Sequence, residues 1–448
     1  MLKYTFLFLI ELLSIASVEA QLTSNRIPHR LFHLSITPGF GTNGIQPGSY
    51  VNHFSLNLTS GYSLGNKGIE IGGISNLNVE ITRGFQFAGL VNLTGGNAFA
   101  GMNNKEVQSK KLGGFEANLI GGQFAGILNL VENNVFGAQF SGLANISRNA
   151  LFGLQIAGLS NTVKKFTFGV QIAGLSNSTV GAIDGIQISS LLNFTQGQLQ
   201  GVQFGSINNA GFIEGKNSAL AGSSTGLQVG LLNLAHKMNG FQIGLVNFGG
   251  QMQGTQIGLM NFYRSGKEVG TKDGTSIGLL NIGQTLNLKV FTDDFFYTNY
   301  SLITGNGKNF RIKSDRYTTY IMNEISLGYN PKLINNDGNS YGLGYGVNYM
   351  VFNRSPIPVM NEFRYLETGV SFKHYQDANV KLDRLNPIIS IKVSYGSKLS
   401  YKLGGYYLFG AITFNKWFGS NELTTESIVP KPTDANNWMG YQVGLLIH

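Results

Sequence analysis

The feature that most constrains this chain is a nine-residue phrase that recurs along its first two thirds. Gly68-Ile-Glu-Ile-Gly-Gly-Ile-Ser-Asn76 is echoed by Gly84-Phe-Gln-Phe-Ala-Gly-Leu-Val-Asn92, and further copies begin at Gly121, Gly137, Gly153, Gly169, Gly185 and Gly201. Those last six starts are spaced at 16 residues. Shorter copies begin at Gly226, Gly240 and Gly254, spaced at 14, and Gly274-Thr-Ser-Ile-Gly-Leu-Leu-Asn281 closes the series. Polar stretches break the rhythm at 93–120, 210–225 and 262–273.

Each phrase reads as one short strand, because Gln alternates with bulky apolar residues, as in Leu154, Gln155, Ile156. A unit of this length cannot bury an apolar side alone, so neighbouring units must stack. Two stacks compete. In a β-solenoid all copies run the same way and equal positions fall over one another. Gln86, Gln123, Gln139, Gln155, Gln171, Gln187 and Gln203 then form one amide ladder, and Asn92, Asn129, Asn145, Asn161, Asn177 and Asn193 a second. Stacked amides satisfy each other along such columns. In an up-and-down meander, part of a single large antiparallel barrel, the Asn residues alternate between ends, and nothing requires one phrase in every strand. The solenoid is the better reading, and the change from 16 to 14 residues then marks a tighter turn where Ala-Gly becomes Gly.

The flanks follow other rules. Residues 1–20 have the form of a secretory signal: Lys3 at the start, an apolar run from Tyr4 to Val18 interrupted by Glu11, and Val18 and Ala20 as the small residues before a cut at Gln21. Beyond it no run of 18 apolar residues occurs, so an exported product is either released or held in a membrane by strands. From about Leu286 the strands are longer and alternate cleanly. Tyr341, Leu343, Tyr345, Val347, Tyr349 and Val351 share one face and Gly342, Gly344, Gly346 and Asn348 the other. Fifteen of the 19 tyrosines and both tryptophans, Trp417 and Trp438, lie in this segment. Aromatics near strand ends are the girdle pattern of an outer-membrane barrel, although a soluble sandwich also shows one apolar face per strand. Asp337-Gly338 is a hairpin turn signal. Leu31 to Phe40 and Phe54 to Tyr62 read as two more strands of the C-terminal kind.

The phrases at 84–92 and 153–161, the lead-in Ile36-Thr-Pro-Gly-Phe-Gly-Thr-Asn-Gly44, Ser55-Leu-Asn-Leu58 and the ending Gly440-Tyr-Gln-Val-Gly444 resemble the surface-repeat proteins of Gram-negative outer envelopes. The resemblance covers most of residues 30–448 and implies a cell-envelope location. It implies no catalytic or ligand residues. The expected organisation is a signal peptide over 1–20, strands over 21–67 pairing with the C-terminal sheet, glycine-rich repeats over 68–285 and an antiparallel, barrel-like region over 286–448.

Chemistry is sparse. With 61 glycines, 12% charged residues and no cysteine, the chain has no thiolate nucleophile, disulfide or thiolate metal site. The net charge of +9 is not gathered into a basic run, so no nucleic-acid partner is expected. Residues 121–209 hold two acids, Glu132 and Asp184, 52 positions apart, which leaves no acidic column for a polysaccharide-cleaving β-helix. The calcium-binding nonapeptide Asp is missing too. His29 and His33 stand at H-x-x-x-H spacing without the zincin Glu, and His33 with His53 offers a metal pair only if their strands meet. Asp293-Asp294, beside Phe291, Phe295 and Phe296, reads as a solvated turn before a cation or sugar site. Two G-x-S-x-G stretches, Gly222–Gly226 and Gly274–Gly278, lack a nucleophile-elbow context; in the second, Ser276 replaces the repeat's Gln. Lys105, Lys110, Lys111, Lys216, Arg264 and Lys267 charge the interruptions, where inserted loops often carry function.

The expectation is therefore an all-β, non-enzymatic protein, exported to the outer membrane or cell surface. It takes no cofactor, contacts outer-membrane lipid and has an open protein or glycan ligand. A pore or transport barrel is the alternative. A carbohydrate-active enzyme would have to draw on Glu324, Glu362 and Glu367.

Overall fold

The computed structural model describes residues 28–95, 118–211, 224–263, 274–283, 285–307, 317–331, 339–353, 364–377, 387–399, 405–418 and 437–447. The leader, most of the three charged interruptions with their six named cations, Asp337-Gly338 and Glu362 lie outside them. The fold is all-β, with a solenoid of about 12 turns and a closed antiparallel barrel of eight strands. The chain forms two compact units, residues 1–230 and 231–448.

In the first unit, successive copies run parallel and pair at equal positions. Gly153, Leu154, Gln155 and Ile156 lie beside Gly169, Val170, Gln171 and Ile172, and the same register holds from coil to coil. The antiparallel alternative is excluded for the repeats by these pairings. The phrase is two strands, however, not one. Ala150–Ala157 and Ser160–Val163 are separated by a corner at Gly158-Leu159. The corner forms because Ala157 and Asn161 must both face inward from different sides of the coil, and the bare glycine between them lets the backbone bend. Gly153 has φ of 142°, and a Cβ there would stand 2.0 Å from the Gly137 carbonyl oxygen, so this column admits glycine alone. Inward positions hold a small apolar cluster of Leu119, Val131, Val135, Leu151 and Val163 beside the amide columns.

The N-terminal strands depart from expectation. His29–Thr37, Val51–Asn57 and Ser60–Gly72 pair in parallel with one another and with Ser75–Ala88. They are the first courses of the solenoid, not partners of the C-terminal sheet. Their hydrophobic alternation is shared with barrel strands, but their inward residues, Ser55 and Glu70, stand in register with Gln86, which places them in the repeat.

In the second unit, Phe241–Met252 and Thr255–Tyr263 stack in parallel at 14-residue spacing, with Gln242 beside Gln256 and Asn247 beside Asn261. The corner persists with one residue fewer: Gln242 and Asn247, five apart, both face inward, the pairing skips Leu245 and Leu259, and in the last copy Thr275–Ile277 and Leu280–Ile282 are separate strands. The barrel strands are Thr285–Asp293, Thr298–Gly307, Tyr317–Asn330, Ser340–Asn353, Arg364–Asp377, Pro387–Lys398, Tyr406–Trp417 and Asn437–Ile447. Each pairs antiparallel with its neighbours, and the first closes on the last through Val290 and Leu445. Within this unit the last coil is seated on the barrel wall: the Asn281 amide donates to Thr304 Oγ1 at 3.2 Å and the Tyr345 hydroxyl to the Gly278 carbonyl at 2.9 Å.

Candidate functional site

The glutamine column is continuous. Each side-chain amide nitrogen donates to the Oε1 of the preceding coil's Gln: Gln123 to Gln86 at 2.7 Å, Gln139 to Gln123 at 2.8 Å, Gln155 to Gln139 at 2.7 Å and Gln171 to Gln155 at 3.0 Å. Gln187, Gln203 and Gln228 extend the column at 2.8–2.9 Å. The asparagine column runs the opposite way. Asn92, Asn129, Asn145, Asn161, Asn177 and Asn193 each donate to the Oδ1 of the following coil at 2.9–3.0 Å. The second hydrogen of each amide goes to a backbone carbonyl, as from Asn145 to Ile156 at 2.8 Å, which fixes the direction of the ladder. Two columns of aligned amide dipoles therefore oppose each other inside one narrow core. All these side chains are fully buried.

A column that donates toward the N-terminus needs an acceptor at that end, and Glu70 supplies it. Its carboxylate accepts from Gln86 and Asn78, both at 2.9 Å. Burial pushes the Glu70 carboxyl above the usual range, while the bonds from Gln86, Asn78 and Asn57 pull it back. The sequence already placed Glu70 at the Gln position of its phrase, but its role as the terminus of the ladder needed the register. Ser276 closes the column in the second unit by donating to Gln256 Oε1 at 3.0 Å. Within each unit these residues form a buried structural column.

The barrel interior is the other polar concentration. Lys289, wholly buried, donates to both oxygens of Glu367 at 2.9 and 2.6 Å. Lys392 bridges Glu324 and Glu367, at 3.0 Å from the latter, and Asn348 donates to Glu324 at 2.6 Å. Lys373 pairs with Asp293 at 2.5 Å. Asp294 accepts from Asn415 at 3.1 Å and from Trp438 Nε1 at 2.7 Å. Asp293-Asp294 is thus no solvated turn: both carboxylates are buried, and Asp293 also caps the amides of Phe295 and Phe296.

This charged layer lies between two apolar plugs. Met322, Met350, Phe352, Tyr365, Tyr407 and Leu446 belong to one; Phe296, Ile388 and Trp417 form the other. Glu324 and Glu367 do converge, as an enzyme would require, but each carboxylate is matched by lysine and sealed from solvent.

His33 stands beside Ser55 on the paired strand, not beside His53. His29 and His53 bring their rings to 5.7 Å, and His33 bonds instead to Thr42 Oγ1 at 3.0 Å. Burial lowers the His33 pKa, with Arg30 adding to the effect and a hydrogen bond from Asn43 opposing it. Among the described residues no three His, Cys, Asp or Glu side chains come together as a metal site. Glu132 pairs with Arg148 at 3.1 Å on the surface. Comparison with family models, curated proteins and solved structures returns no match for this chain.

Proposed function

We propose that this is a non-enzymatic cell-envelope protein whose C-terminal barrel is anchored in the outer membrane of a Gram-negative bacterium. Its solenoid serves as a rigid structural or recognition module. The observation that carries this reading is the inverted polarity of the barrel. Lys289, Glu324, Glu367, Lys373 and Lys392 point inward, while Leu286, Leu343, Leu366, Ile391, Leu408, Ile412 and Met439 point outward and are each more than half exposed. A soluble barrel would reverse this, because charges inside an apolar-skinned cylinder lose hydration and gain nothing from water outside. A cylinder in hydrocarbon requires it. Closure supports the reading too, since no strand edge is left unpaired.

Transport through the barrel has less support. Eight strands leave a lumen that side chains just fill, and here ion pairs and two aromatic plugs fill it. The deciding experiment is heat-modifiable gel mobility of the full chain in detergent. The unheated protein should migrate faster than the boiled one; a single detergent-independent band would remove the membrane reading.

A further inference from the structure

Charge is scarce on the barrel's outer wall and stands at its two ends. Among the described side chains of the eight strands, Asp293, Glu324 and Glu367 face inward. The cations that face outward are Arg364, beside Ser397 at one end of the wall, and Lys416, beside Ile389 at the other. No carboxylate among the described residues pairs with Lys416. A groove of about 470 Å³ opens at this second end. Its polar row is Lys416, in register between Ile389 and Asn437, all three exposed. Two residues along, the next row of the groove is Ile391, Phe414 and Met439, wholly apolar and between 51% and 60% exposed. Val393, Ile412 and Tyr441 continue the wall beyond the groove. Phe418 borders the polar row, its ring centroid 5.1 Å from the Lys416 ammonium. The remaining lining residues, Asn415 and Trp438, are already committed to Asp294.

We propose that this groove binds one anionic phospholipid, its phosphate on Lys416 and Asn437 and its acyl chains over Ile391, Phe414 and Met439. The site rests on the membrane reading above. Charge selects the head. An ammonium without a carboxylate, at the edge of an apolar wall, attracts an anion. A phosphodiester brings one negative charge and oxygens that accept from both Lys416 and the Asn437 amide. Spacing selects the body. The four residues from Lys416 to Ile412 span about 14 Å of strand, against about 15 Å for one leaflet's share of a bilayer core. A molecule headed at Lys416 therefore meets Phe414 and then Ile412 over the depth of an acyl chain. A free anion would leave the apolar rows uncovered, and a glycan would find no polar partner on them. A peptide strand would find no edge to extend, because the barrel is closed.

The test uses the full chain in neutral detergent, incubated with phosphatidylglycerol, with diacylglycerol of the same acyl chains, or with inorganic phosphate. Native mass spectrometry counts what stays bound. One phosphatidylglycerol per chain should be retained, about fivefold over diacylglycerol, the ratio that about 1 kcal/mol for one cation near an anionic lipid surface produces. Lys416→Gln should erase that excess, and Arg364→Gln, at the opposite end of the wall, should keep it. Phe414→Ala should lower retention of both lipids alike. An excess that survives Lys416→Gln, or that Arg364→Gln removes equally, would overturn the proposal. So would displacement of the lipid by millimolar inorganic phosphate, which would make this a free-anion site, or a second copy of the chain bound in place of lipid. Heat-modifiable mobility is read on every sample. Its absence fails the membrane reading itself, whereas a heat-modifiable chain without the excess fails this site alone.

Discussion

The solenoid and the barrel both bury polar side chains under an apolar skin, but they solve the pairing problem differently. In the solenoid a residue meets its own equivalent in the next coil, so the buried group must be donor and acceptor at once. Gln and Asn are both, and Gln155 can lie over Gln139 and under Gln171 without loss. A lysine or glutamate could not stack on itself in that way, because like charges in a buried column repel. In the barrel, closure turns different residues from non-neighbouring strands into one interior, and Lys289 meets Glu367 across it although 78 positions separate them. Translation demands self-complementary amides; antiparallel closure permits complementary charges.

Substitutions sharpen this contrast, the barrel first. Glu367→Leu leaves Lys289 buried without its carboxylate and should cost about 3–5 kcal/mol in unfolding free energy, while Lys289→Met combined with Glu367→Leu should recover most of it. Denaturant titration of the heat-modifiable band checks both; equal stability of the single and double variants would break the contrast. In the solenoid, Gln155→Leu orphans the Gln139 oxygen and one Gln171 hydrogen, each at about 1–3 kcal/mol. Here no second substitution can compensate within the pair, because both neighbours also serve the next coil. Hydrogen exchange should show lost protection spreading in both directions from that coil; loss confined to one neighbour would contradict the ladder.

The smallest effect concerns Glu70. Its carboxyl is held above the unfolded value, so the folded chain binds this proton more readily than the unfolded chain. The first coils should be most stable in acid and should loosen as pH rises through the raised value. Amide exchange over Ser60–Gly72 measures this, and Glu70→Gln should flatten the dependence. An unchanged pH profile in that variant would assign the effect to another group.

The same contrast explains what the sequence made legible. A core built by translation prints its own repeat, so the columns from Gln86 to Gln203 and from Asn92 to Asn193 could be read by eye. The corner at Gly158-Leu159 could not, because alternation alone does not distinguish a bend from a straight strand when Ala157 and Asn161 both point inward. The barrel's outward face was legible as alternation in Tyr341 to Tyr349. Its lumen was not: nothing in the spacing of Lys289, Glu324, Glu367 and Lys392 announces that four strands will bring them together. Asp293 and Asp294 were misread for the same reason, since their partners Lys373, Asn415 and Trp438 lie 80 to 144 positions away.

The most direct test of parallel stacking exploits the absence of cysteine. Ala144 and Ser160 stand side by side in adjacent coils, as do Ser160 and Ser176. Cysteine pairs introduced at 144/160 and at 160/176 should both close intramolecular disulfides under mild oxidation in the folded chain. Failure of both, with cross-linking instead between opposite ends of neighbouring copies, would contradict the account.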